Sequence, residues 1–263
     1  MEIKSQAKIN LSLNVVSLGK MHALDSVMAR VDLHDIIDVK KSDVFEVTYD
    51  IHVDGGGSVQ KAYEILQNDD GYRTKIHPIK VDVKKGISVG AGLGGSSADS
   101  AAIMRYFGVT DNEVMLKAGS DVPYMAGENC ARVQGLGQKL DFFTCPTMYF
   151  AFINAGCVLT KDSFCKFDQI YNQPFCPTDN ARLVEAMKRG ELKDVGKCMA
   201  NALTQPSCVL NPKISQAINI LRDFSPLGVV MTGSGGGVIA LFESKAQADV
   251  VPKQIEAKVI KTI

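Results

Sequence analysis

The run Val89-Gly90-Ala91-Gly92-Leu93-Gly94-Gly95-Ser96-Ser97-Ala98, near the middle of a 263-residue chain, constrains the fold more than any other segment. Four of its residues, Gly90, Gly92, Gly94 and Gly95, carry no side chain, so the backbone there can approach an anion closely. The small residues Ala98, Ala101 and Ala102 follow, and the spacing predicts a helix from about Ser96 to Phe107. A glycine turn that runs into a helix aims successive N–H groups at one point, where the helix dipole adds partial positive charge. Ser96 and Ser97 supply hydroxyls suited to a phosphate or a magnesium ion. The segment therefore reads as a phosphate-cradling loop rather than a plain capping turn. It is not a Walker A loop, because no Gly-Lys-Ser/Thr follows. It is not a dinucleotide fingerprint either, since no regular βαβ pattern with an acidic strand end continues from it.

Residues 7–16 alternate apolar Ala7, Ile9, Leu11, Leu13 and Val15 with polar Lys8, Asn10, Ser12 and Asn14, which predicts a half-buried strand. Lys8 and Asn10 then share a face. Further strands are expected near 31–39, 44–53, 78–84, 129–133, 148–153, 228–232, 237–242 and 258–262. Helices are expected near 59–67 (after a Gly55-Gly56-Gly57 turn), 111–118, 160–167, 179–189, 191–203, 212–223 and 245–255. This mixture is α+β. The helical bias after about residue 160 places a domain boundary near 140–147, giving domains 1–142 and 143–263.

Composition excludes several classes. Lys plus Arg and Asp plus Glu are 29 each, so the formal net charge is zero and a large basic nucleic-acid footprint is not expected. No apolar run reaches the roughly 20 residues of a membrane span, and the N-terminus lacks a signal pattern. A cytoplasmic protein without a membrane partner is expected. The seven cysteines form no C-x-x-C pair and read as free buried thiols. The four histidines show no metal-ligand spacing, so no protein-held metal is expected.

Other positions stand out. Asp121, in Gly119-Ser120-Asp121-Val122-Pro123-Tyr124, sits in a fixed backbone setting where it can take a proton from a hydroxyl or orient it; taken alone it reads first as a helix-capping or turn aspartate. Lys8 can neutralise a transferring phosphoryl group, or simply be a solvated strand lysine. The cluster Gly233-Ser234-Gly235-Gly236-Gly237 reads as a tight hairpin, with more glycine than a hairpin needs. Close approach to a ligand or to the first glycine loop accounts for the surplus equally well. His22 falls in a loop between strands.

Taken in order, these pieces resemble the GHMP kinase superfamily. Residues 88–99 look like its central glycine loop, and Met231-Thr232-Gly233-Ser234-Gly235-Gly236 looks like its C-terminal glycine motif. Ala7-Lys8-Ile9-Asn10-Leu11-Ser12-Leu13, Gly19-Lys20-Met21-His22-Ala23-Leu24 and Gly119-Ser120-Asp121-Val122-Pro123 are most similar to the branch whose substrate is a cytidine-diphosphate-linked methylerythritol. The resemblance implies a two-domain GHMP kinase fold with an active-site cleft between the domains. It implies Lys8 and Asp121 as catalytic pair, and ATP held by Ser88, Val89, Gly90, Ala91, Gly92, Leu93, Gly94, Gly95, Ser96, Ser97 and Ala98, with Mg2+ accompanying the nucleotide. Asn10, His22, Thr160, Phe164 and Gly233 would hold the substrate, His22 by hydrogen-bonding the cytosine and Phe164 by stacking on it. The partner is thus a small-molecule sugar alcohol, and the protein a monomer or weak homodimer. Another small-alcohol kinase of the superfamily, of homoserine or mevalonate type, and a non-catalytic nucleotide-binding protein are the alternatives. Ser88 replaces the usual Pro before the loop, and Met21 replaces a usual Tyr beside His22.

Overall fold

The computed structural model describes residues 1–19, 21–53 and 57–263; Lys20 and most of the expected Gly55-Gly56-Gly57 turn lie outside the described residues. The chain opens with two long strands, β1 (Glu2–Ser17) and β2 (Ala23–Lys41), then the short β3 (Glu46–Tyr49). Helix α1 (Gly57–Gln67) buries Val59, Ala62, Tyr63 and Leu66, one helical stripe. Strand β4 (Ile79–Lys84) leads through the glycine loop to α2 (Gly95–Tyr106). Helix α3 (Asn112–Ala118) is capped by Asp111, which accepts a 2.8 Å bond from the Glu113 amide. Helix α4 (Val122–Ala126) carries Pro123 in its first turn, where no donor is missed. A hairpin of β5 (Cys130–Gly135) and β6 (Lys139–Phe143) precedes β7 (Tyr149–Asn154). Then come α5 (Thr160–Ile170), α6 (Asn180–Arg189), α7 (Leu192–Cys198), β8 (Ala200–Asn201), α8 (Thr204–Leu210) and α9 (Lys213–Arg222). The chain ends with β9 (Gly228–Thr232), β10 (Gly237–Phe242), α10 (Lys245–Ala248) and β11 (Lys258–Lys261).

These elements form two units. One comprises Met1–Ala7, Leu33–Ser88 and Gly94–Glu128; the other comprises Lys8–Asp32, Val89–Leu93 and Asn129–Ile263. Residues 1–142 thus contribute to both. Within the first unit the end of β2 pairs antiparallel with β4, Ile36 opposite Lys84, and β3 lies parallel to β4. Helix α2 packs on α1 and α4. Within the second unit the start of β2 pairs antiparallel with β5, and β8 lies parallel to β1 with Ser12 opposite Ala200. A separate antiparallel sheet has the order β11-β7-β10-β9. Its inner face, with α5 and α9, encloses a core that includes Leu13, Phe167, Leu203, Leu221, Met231 and Val238.

Several sequence expectations change. Strand β1 is not half-buried: Lys8, Asn10, Ser12 and Asn14 are as buried as the apolar residues between them. Its polar face is occupied by hydrogen-bonding groups rather than water. The helix expected over 191–203 breaks after Cys198, because Ala200 and Asn201 pair with β1 instead. Helix α8 and strand β6 were not expected. The strand expected over 44–53 shortens to Glu46–Tyr49, and Pro252 cuts the helix expected over 245–255. The free-thiol expectation fails in part. Cys130 opposes Phe143 across the β5–β6 hairpin, so Cys145, just beyond, is brought to it and the two are joined as a disulfide. Cys157, Cys165 and Cys176 are exposed, and only Cys198 of the remaining thiols is fully buried. None of the helices described is long and apolar enough to cross a membrane.

Leu221 is fully buried in the second unit's core, on the stripe Ile214, Ala217, Ile218 and Leu221 of α9. Leu221→Ala should destabilise that core by about 2–5 kcal/mol, read as a lowered midpoint in urea unfolding; an unchanged midpoint would refute the packing described.

Candidate active site

Glycines 90, 92 and 94 adopt φ of 72°, 72° and 70°, the left-handed region. In the second unit, residues 89–93 lie backbone to backbone against the β9–β10 connection. A Cβ on Gly92 would sit 2.4 Å from the Thr232 carbonyl oxygen, and one on Gly233 would sit 2.6 Å from the Gly92 carbonyl oxygen. Any side chain at either position would push the two segments apart. The connection is also a hairpin, with Thr232 opposite Gly237. Both sequence readings of the second glycine cluster therefore hold, and the surplus glycine serves the close approach to the first loop.

In the first unit, Gly94 is the N-cap of α2, with no side-chain cap bond among the described residues and no acidic residue in the first turn. The leading amides of α2 are thus left for an outside acceptor. Ser96 is exposed and Ser97 half-buried beside them. Gly119 passes this helix start: a Cβ there would meet Ser97 Oγ at 3.5 Å. Asp121, two residues on, begins α4 without capping it through its side chain, and it is half-buried. Its side chain does not cap α4, and the segment that bears it passes the start of α2 at Gly119. Ser88, half-buried, ends the first-unit segment before the loop.

Lys8 and Asn10 do share a face, as the strand period requires. Lys8 is 4% exposed and donates to Asn10 Oδ1 at 2.5 Å. Asn10 Nδ2 donates to Ser26 Oγ at 2.7 Å, and its backbone amide donates to Thr232 Oγ1 at 2.8 Å. The Lys8 amide donates to the Leu93 carbonyl at 2.9 Å. A buried ammonium is costly unless hydrogen-bonded, so this is not the solvated lysine of the bland reading. The same bonds tie Lys8 and Asn10 to both glycine segments of the second unit.

His22, Phe164 and Thr160 form a second group in that unit. The His22 and Phe164 rings stack with centroids 4.9 Å apart at 30°. Thr160 Oγ1 lies 2.7 Å from Ser234 Oγ, next to Gly233. Sequence reasoning missed Asp168, whose Oδ1 is 2.7 Å from His22 Nε2. Its position one helical turn after Phe164 was the available signal.

Sequence reasoning also missed what braces the start of the glycine loop. Asp35, on β2, accepts from the amides of Gly86 and Ile87 at 2.7 and 2.8 Å and from Lys85 Nζ. Lys85 also donates to Asp99 Oδ2, on α2, at 2.8 Å. Both carboxylates are at most 1% exposed. Burial pulls the Lys85 pKa down, but the two carboxylates outweigh it and leave it above the usual lysine value. Burial pushes the Asp99 pKa up to about 6, against the pull of Lys85 and with added repulsion from Asp35. No local pattern could have joined residues 35, 85 and 99.

Known proteins match this chain along most of its length. Residues 58–116 match the GHMP kinases N terminal domain and residues 183–261 match the GHMP kinases C terminal family. A 4-diphosphocytidyl-2-C-methyl-D-erythritol kinase of Clostridioides difficile (strain 630) is 30% identical, covering 97% of this chain and 91% of that protein. One from Carboxydothermus hydrogenoformans is also 30% identical, over 97% of this chain and 93% of its own. Among solved structures, a 4-(cytidine 5'-diphospho)-2C-methyl-D-erythritol kinase superposes with a TM-score of 0.79 at 23% identity, covering 99% of this chain and 98% of its own. The mevalonate kinase of L. major superposes with a TM-score of 0.66 at 15% identity, over 100% and 95% of the two chains. The fold is that of these kinases.

The raised Asp99 pKa has a consequence for stability. A carboxyl with a folded pKa near 6 and an unfolded value of 3.8 binds its proton more tightly when folded. Its contribution is therefore fully present below about pH 4 and declines as pH rises to about 6. Relative to Asp99→Asn, the native chain should lose on the order of 2–3 kcal/mol across that window. Urea unfolding of both chains from pH 4 to 7 measures it, and a constant difference would contradict the burial described.

Proposed function

This chain belongs to the GHMP kinase family, among the 4-diphosphocytidyl-2-C-methyl-D-erythritol kinases, and from that membership we propose that it transfers the γ-phosphoryl group of ATP to the 2-hydroxyl of 4-diphosphocytidyl-2-C-methyl-D-erythritol, a step of non-mevalonate isoprenoid precursor synthesis. The observation that carries the phosphoryl-transfer reading is the α2 N-terminus, uncapped and preceded by left-handed glycines. Such a terminus suits the phosphates of ATP, and the first turn of α2 carries no acidic residue of its own. The loop Ser88 to Ala98 would wrap the phosphates. Magnesium, carried in on the nucleotide, would neutralise phosphate charge.

Asp121 is proposed to orient the acceptor hydroxyl or take its proton, and Lys8 to stabilise charge developing on the transferring group. The burial of Lys8 supports this, because a desolvated ammonium acts more strongly on a nearby anion. Asn10 holds Lys8 Nζ and would help hold the substrate. His22 would hydrogen-bond the cytosine with Phe164 as its stacking platform, and Thr160 and Gly233 would line the remainder. Catalysis on this reading is positioning and electrostatics rather than covalent chemistry.

ADP release measured over a panel of alcohols tests the reading. Turnover is expected with the cytidylyl alcohol and not with homoserine or mevalonate. The reverse pattern would make it a different small-alcohol kinase, and nucleotide binding without ADP on any alcohol would make it non-catalytic. Asp121→Asn should lower kcat by roughly a hundred- to ten-thousand-fold while ATP affinity stays within a few-fold; near-normal turnover would remove Asp121 from the mechanism. Gly92→Ala should weaken ATP binding, since a left-handed alanine costs about 1–2 kcal/mol before its clash with Thr232 is counted; unchanged affinity, by calorimetry, would show that the loop does not touch the nucleotide.

A further inference from the structure

His22 is held on three sides. Asp168 Oδ1 lies 2.7 Å from its Nε2, Phe164 stacks on its face at 4.9 Å, and Phe167 meets it edge-on at 6.0 Å and 84°. The imidazole side chain keeps 10% exposure although its carboxylate partner keeps 50%. Helix α5 organises this arrangement. Thr160, Phe164 and Asp168 recur every four residues and so lie along one stripe. The first bonds Ser234 in the glycine hairpin, and the other two both engage His22.

We propose that Asp168 is a positioning residue that fixes which nitrogen of His22 carries the proton, and that this makes the site select cytosine over uracil in its nucleotidyl substrate. The inference rests on the cytidylyl-alcohol reading above. An ionised carboxylate only accepts hydrogen bonds, so the proton between the two groups sits on Nε2. In the neutral ring Nδ1 then presents a lone pair. Cytosine offers an exocyclic N4–H2 donor where uracil offers the O4 acceptor. An acceptor nitrogen matches the first and meets the second lone pair to lone pair. With the rings in contact at 4.9 Å, a base has no room between His22 and Phe164 and is read at the imidazole edge instead. A base joined edge-on there lies in the imidazole layer, where Phe164 can underlie both.

The test reads discrimination rather than activity. Dissociation constants for CDP and UDP, and kcat/KM on the cytidylyl and uridylyl forms of the alcohol, are measured for the native chain, Asp168→Asn, Asp168→Ala and Asp168→Glu. Circular dichroism and Tm report folding of each. The native chain should prefer the cytidylyl forms. Asp168→Asn can present its own N–H to Nε2 and move the proton to Nδ1; it should cut the cytidylyl-to-uridylyl ratio by about tenfold or more, leaving KM for ATP unmoved. Asp168→Ala should cut the ratio less, and Asp168→Glu should keep it. Asn and Ala variants that fold, turn over the cytidylyl alcohol and keep the native ratio would overturn the role of Asp168 and leave the substrate reading standing. A native chain without turnover on the cytidylyl alcohol would overturn both.

Discussion

The rest of the second unit's site depends on the contact between two glycine segments. Residues 89–93 and the β9–β10 connection meet backbone to backbone, with 2.4 Å from a Gly92 Cβ to the Thr232 oxygen and 2.6 Å from a Gly233 Cβ to the Gly92 oxygen. This contact fixes where the chain can go on either side of it. On one side the loop runs into the start of α2; on the other it receives the Lys8 amide at Leu93. Thr232, inside the same contact, turns its hydroxyl to the Asn10 amide. One approach thus sets the positions of the first glycine loop and of the strand that bears Lys8.

Strand β1 illustrates how a buried polar face is made tolerable. Its polar residues from Lys8 to Asn14 each make a hydrogen bond: Lys8 to Asn10, Asn10 to Ser26 and Thr232, the Ser12 hydroxyl from the Val27 amide, and the Asn14 amide group to the Thr178 carbonyl. Burial without such bonds would cost about 1–3 kcal/mol per group. Two of the bonds, to Thr232 and Thr178, come from elements distant in sequence, so the strand's polar side acts as an assembly register for the second unit. A strand that only filled a core would be apolar on both faces.

Much of this was legible in the sequence. Strands β9 and β10 and helices α1 and α2 follow from periodicity and turn residues alone, because local chemistry decides them. The motif order carried the family. What was not legible is long-range. The alternation at residues 7–16 gave the strand but not the burial of its polar side, since its partners lie up to 222 residues away. The Asp35, Lys85 and Asp99 cluster and the Cys130–Cys145 pair likewise depend on which elements meet, not on any local pattern. Asp168 is an intermediate case: its helical stripe was readable, but its partner on the other side of the chain was not.

The hydrogen bond from Asn10 to Thr232 also bears on how the protein comes into being. During synthesis β1 is made well before β9, and the hydroxyl that Asn10 needs comes 222 residues later. The Asn10 amide must wait for that partner until Thr232 has been made. Contacts of such sequence separation are slow to form, because loop closure is paid for before they return anything. The second unit is therefore an assembly that depends on contacts of high sequence separation. A polar strand that is satisfied only late stays hydrated rather than collapsing, which keeps its backbone and side-chain donors out of a premature core.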